Sequence, residues 1–120
     1  MELYRRELLK GSTDTLILSM LAEESMYGYQ LVREMNERSS GYFRLKEGTL
    51  YLALHRLERD DYVDGMWEES PSGQSRRYYS LTPTGERRLE SGLVEWDAFT
   101  KAVNLIAQPV ANLARGVLKG

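Results

Sequence analysis

A chain of 120 residues has room for one hydrophobic core and one appended element, and no second domain. Its 42% hydrophobic and 28% charged residues, with three prolines, are the balance of a folded globular protein, and the absence of cysteine excludes disulfides, thiol nucleophiles and cysteine-based zinc sites. The formal net charge of −2 hides an uneven distribution: Arg44, Lys46, Arg56 and Arg59 fall in one stretch and Arg76, Arg77, Arg87 and Arg88 in another, away from most acidic residues, so local potential can still meet phosphates.

The N-terminal residues 1–15 carry acidic side chains and no sustained apolar run, so no signal peptide is expected there. No stretch approaches the ~18 apolar residues of a membrane span. A soluble cytoplasmic protein without membrane contact is the expectation. Leu3, Leu8 and Leu9 stand at near-helical spacing and predict a short N-terminal helix. The first clear helix opens at Ser12 as N-cap and puts Leu16, Ile17, Met20 and Leu21 on one face, ending at residues 23–25. A second begins around residues 26–29 and runs through Leu31, Val32 and Met35 to residues 39–41. The third, from about Lys46 to Asp60, carries Leu50, Ala53, Leu54 and Leu57 at i, i+3, i+4 and i+7, a stripe that must be buried.

The period then changes to that of strands. Residues 62–68 and 76–81 are rich in aromatic and β-branched types around a Ser/Gly/Pro loop, which predicts a hairpin. Thr82 and Pro83 restart a helix as N-cap and first helical residue. Along it Leu89, Leu93, Trp96, Phe99 or Thr100, Val103 and Ile106 recur at alternating three- and four-residue steps, a coiled-coil-like seam. Pro109 is expected to break or kink the helix. The predicted organisation is a mainly α fold with a small β-hairpin: residues 1–82 as a winged helix-turn-helix, 83–107 as a C-terminal dimerisation helix and 108–120 as a tail.

Four blocks bring these elements together: residues 27–31 (YGYQL), 47–51 (EGTLY), 54–58 (LHRLE) and 76–85 (RRYYSLTPTG). In this order and spacing the chain resembles the PadR family of repressors from Ser12 to about Leu89. The resemblance implies a winged-helix DNA-binding domain, a C-terminal dimerisation helix, a homodimer and an inverted-repeat operator. Two positions depart from the family pattern. Leu52 stands where proline is usual, and Asp61 where a glycine usually ends the third helix.

On the third helix the face opposite the apolar stripe holds Lys46, Thr49, Leu52, His55, Arg56 and Arg59, free to meet double-stranded DNA. Of these, Lys46, Thr49, Leu52, His55 and Arg56 are taken as DNA-binding candidates, with Tyr51 at the border of that face. Arg76 and Arg77 follow the wing loop, and consecutive strand residues point to opposite faces, so one of them is free for phosphate. Tyr29, near the start of the second helix, is placed for a phosphate bond or for a capping role. Leu89, Leu93, Trp96, Phe99, Val103 and Ile106 are the candidate dimer interface. Trp96 is there both a packing residue and a candidate wall for a small aromatic effector. His55 is the sole histidine, so a histidine metal site or catalytic triad lacks partners, and neither a cofactor nor an enzyme activity is expected. The same scaffold serves in protein–protein contacts; the basic residues on both third helix and wing favour DNA over that alternative.

Overall fold

The computed structural model describes residues 11–119, with side chains as far as residue 113; the short helix expected at the N-terminus lies outside the described residues. The first apolar stretch forms α1 (Thr13–Leu21), which buries Ile17, Leu18, Met20 and Leu21. Leu18 thus replaces Leu16, which is partly buried at the edge of the core. Ser12 takes the N-cap position, but its side chain makes no capping bond; its carbonyl accepts the Leu16 N–H at 3.0 Å.

The second helix starts within the expected range, after a short strand that the sequence does not announce. Met26 and Tyr27 form a two-residue strand, β1 (Met26–Tyr27), before α2 (Gly28–Arg38) begins. They pair with the second hairpin strand, Met26 opposite Tyr79 and Tyr27 opposite Tyr78, and the latter two rings meet edge to face at 5.5 Å. The hairpin, β2 (Val63–Glu69) and β3 (Ser75–Leu81), therefore becomes a three-stranded antiparallel sheet in the order β1-β3-β2. Its turn is closed by the Ser70 N–H to the Gln74 carbonyl (2.7 Å) and the Gly73 N–H to the Ser70 carbonyl (2.9 Å).

Between them lies α3 (Glu47–Arg59), whose Leu50, Ala53, Leu54 and Leu57 are all buried as the spacing predicts. They join Ile17, Leu18, Met26, Leu31, Met35, Val63, Tyr79 and Leu89 in one core. Helix α3 ends in a Schellman turn: the Tyr62 N–H bonds the Leu57 carbonyl (2.9 Å) and the Asp61 N–H the Glu58 carbonyl (3.0 Å), with Asp61 left-handed at φ 63°. Helix α2 ends the same way, with Ser40 left-handed at φ 53°.

The last helix, α4 (Pro83–Lys119), is capped by Thr82, whose Oγ1 accepts the Gly85 N–H at 2.9 Å and donates to the Asp61 carbonyl at 2.6 Å. This ties the start of α4 to the end of α3. Gly85 sits so close to the same turn that a Cβ there would lie 2.0 Å from the Tyr62 carbonyl oxygen. Leu89, two turns into α4, is 8% exposed and belongs to the core. The chain divides into two compact units after Leu89, so the first unit extends past residue 82 and includes the opening turns of α4.

The second unit is the rest of α4. Contrary to the expected end near residue 107, the helix continues through Pro109 to Lys119. Proline removes one helical donor, the one that would bond the Leu105 carbonyl. Residues 101–110 are exposed, so that carbonyl is open to water and the lost bond does not end the helix.

Candidate nucleic-acid interface

With four positions of α3 turned into the core, helical geometry sends Gly48, Leu52, His55 and Arg59 outward, with Thr49 and Arg56 on one flank and Tyr51 on the other. All of them are exposed, as is Lys46 at the N-cap. Leu52 is 73% exposed and sits at the middle of this face. Among the described residues Lys46 has no ion-pair partner. Arg59 reaches only its neighbour Asp60, at 3.3 Å, across an exposed surface where such a pair is weak.

Arg56 and Arg77 are both engaged by carboxylates. The Arg56 guanidinium is ion-paired with Asp14 in the first turn of α1. Arg77 on β3 reaches Glu58 on α3 at 2.5 Å, and the same Glu58 oxygen accepts the Gly65 N–H from β2 at 3.1 Å. Glu58 therefore clamps the hairpin to the end of α3. The hydrogen bond to Glu58 raises the Arg77 pKa, so this group stays a cation. Its side chain crosses Gly65, where a Cβ would lie 2.4 Å from Nε, and its guanidinium lies 5.8 Å from the exposed Trp67 ring. Burial pushes the neighbouring Tyr79 hydroxyl pKa up.

Sequence reasoning missed Glu58 and Asp14. Their partners lie 19 and 42 residues away, and only the glycine inside the β2 pattern signalled a close approach. Arg76 projects from the other face of the sheet, with its guanidinium 4.4 Å over the Tyr27 ring. The Tyr51 ring packs against Gly28, where a Cβ would meet its hydroxyl at 2.5 Å, so a larger residue there requires the half-exposed Tyr51 ring to shift. Tyr29 is half-exposed in the first turn of α2, with Arg33 6.0 Å from its ring.

The expected interface on α4 separates into two parts. Leu89 is core in the first unit, where its neighbours cover it. Leu93, Trp96, Phe99, Val103 and Ile106 are exposed, and the stripe continues to Val110 and Leu113. The Trp96 and Phe99 rings stack at 5.8 Å.

The model of the transcriptional regulator PadR-like family matches residues 17–91, from within α1 through α2, α3 and the sheet to the start of α4. The chain belongs to the PadR-like family of transcriptional regulators. Among relatives, the transcriptional regulator Rv3488 of Mycobacterium tuberculosis is 32% identical over 84 residues, covering 70% of this chain and 75% of that protein. A PadR-like transcriptional regulator from Bacillus cereus superposes with a TM-score of 0.76 at 30% identity, covering 85% of this chain and 97% of that one. A PadR family transcription regulator from Clostridium difficile is 40% identical, with a TM-score of 0.71 over 79% of this chain and 97% of that one. PadR-like proteins regulate transcription and are not enzymes, and they bind DNA, typically as dimers. This PadR-like chain has the family's winged helix and its long C-terminal helix. No helix among the described residues is long and apolar enough to cross a membrane.

Proposed function

We propose that this PadR-like regulator is a cytoplasmic repressor that binds an inverted-repeat operator as a homodimer and leaves it when a small aromatic effector binds at Trp96. Each protomer inserts the outward face of α3 into a major groove. Lys46, Thr49, Leu52, His55 and Arg59 meet the DNA there, with Tyr29, Arg56 and Tyr51 at the edges. Arg76 and Arg77 follow the backbone from the wing. Arg56 and Arg77 each bring a carboxylate with them, so their contribution to phosphate binding is smaller than that of Lys46 and Arg59.

The observation that carries this reading is the pairing of two exposed surfaces of opposite character. One is the outward face of α3 with basic residues at both ends, and the other is the apolar stripe of α4 from Leu93 to Ile106. A single helix leaves such a stripe in water, and a twofold copy covers it at least structural cost. Twofold symmetry in turn demands a palindromic site with half-sites about one helical turn apart. Footprinting on duplexes selected from random sequence tests the proposal. Two protected half-sites related by inversion are expected; a single unpaired half-site, or protection without sequence preference, would contradict it.

A further inference from the structure

We propose that Leu52 reads the 5-methyl group of a thymine in the operator's major groove. The inference rests on the DNA-binding reading of α3 and adds to it the base class recognised at the centre of the helix. Leu52 is 73% exposed in the middle of the outward face, where the deepest insertion occurs. Its neighbours one turn away are Gly48, Thr49, His55 and Arg56, so every other side chain around it is polar. A helical side chain leans toward the turn before its own Cα, which for Leu52 is the turn that holds Gly48. At Gly48 nothing beyond the adjoining residues and the helix's own backbone lies within 4 Å of the place a Cβ would occupy, so the surface on that side of the isobutyl group is open.

The major-groove edge decides what the exposed isobutyl group can pack against. Guanine, adenine and cytosine present donors and acceptors there, whereas thymine presents an acceptor and a methyl group. Leucine can neither donate nor accept. Over a purine or cytosine edge it displaces water from polar groups and leaves them unpaired, which is penalised; over a thymine methyl it buries apolar surface against apolar surface. Lys46 and Arg59 at the two ends of the same face hold the helix against phosphates and set the depth at which this contact forms.

Deoxyuridine differs from thymidine only by the missing methyl, so it isolates the contact. The operator is selected from random duplexes, each thymine is replaced in turn by deoxyuridine, and binding of the full chain is measured by fluorescence anisotropy for wild type and Leu52→Ala. At one thymine per half-site, uracil should weaken wild-type binding about fourfold. The same replacement should leave Leu52→Ala binding unchanged within about twofold. The variant should keep its fold, since the side chain is exposed and alanine is the better helix former. Specific binding in which no thymine is sensitive to uracil, or in which the sensitivity persists in Leu52→Ala, overturns the assignment of Leu52 alone. Failure to select any specific duplex overturns the DNA-binding reading itself.

Discussion

Replacing Asp61 by glycine should stabilise the protein by about 0.5–1 kcal/mol. Asp61 closes the Schellman turn of α3 with φ 63°, a conformation in which the Cβ of an L-residue crowds its own carbonyl. That crowding costs about 1–2 kcal/mol, at the lower end for aspartate. The carboxylate is also exposed at a helix C-terminus, where the dipole disfavours negative charge by about 0.3 kcal/mol or more. Glycine removes both costs, but it gives the unfolded chain more freedom, which takes back about 0.4–1 kcal/mol. The net gain corresponds to roughly 2–5 °C in the melting midpoint. Asp61→Asn serves as a control: asparagine tolerates the left-handed region and lacks the charge, so it should gain only a few tenths of a kcal/mol. Urea and thermal unfolding at fixed protein concentration read the effect, since the midpoint of a dimer varies with concentration. An unchanged or lower midpoint for Asp61→Gly would refute the strain argument, and equal gains for glycine and asparagine would assign the cost to charge instead.

Gly85→Ala should have the opposite sign, because its Cβ would press to 2.0 Å on the Tyr62 carbonyl, a backbone atom that cannot rotate away. A loss of about 2 kcal/mol or more in urea unfolding is expected, and a loss under about 0.5 would contradict the close approach. Glu58→Ala should release Arg77 and leave the Gly65 N–H to solvent, so amide exchange at Gly65 should accelerate roughly tenfold. Exchange at the wild-type rate would mean that Glu58 does not clamp the wing. Trp96→Ala should weaken dimerisation by about 2–4 kcal/mol in sedimentation equilibrium while the fold of the first unit is kept. A monomeric wild-type protein would remove the basis for this expectation.

The elements that were legible in the sequence are those whose signals are local. The stripe of Leu50, Ala53, Leu54 and Leu57 recurs at helical spacing, and all four residues are buried. Thr82 and Pro83 announce a helix start by their own chemistry, and Thr82 makes the capping bond. What was not legible depends on partners distant in the chain. Two residues, Met26 and Tyr27, carry no strand period, and they become a strand only because Tyr78 and Tyr79 lie alongside. Leu89 shares the periodicity of Leu93 and Trp96, since a core face and an unpartnered face look alike until the neighbours are known. The sequence places Arg56 on an outward face and does not say which of Arg76 and Arg77 is free, because charge in a sequence does not disclose its counter-charge. Pro109 is a breaker by propensity, yet a solvated helix tolerates the loss of one bond.

In the proposed function, α3 and the wing bind operator DNA through a small set of unneutralised cations. Equilibrium binding to the selected operator and to a scrambled duplex, each measured from 50 to 300 mM salt, tests it most directly. Lys46, Arg59 and Arg76 are the cations with the weakest or no carboxylate pairing on this surface, and two protomers double them. Six phosphate contacts give a slope of log K against log salt of about −5. The operator should bind about a thousandfold or more tighter than the scrambled duplex at physiological salt. A slope near zero, or equal affinity for both duplexes, would contradict operator binding by these cations.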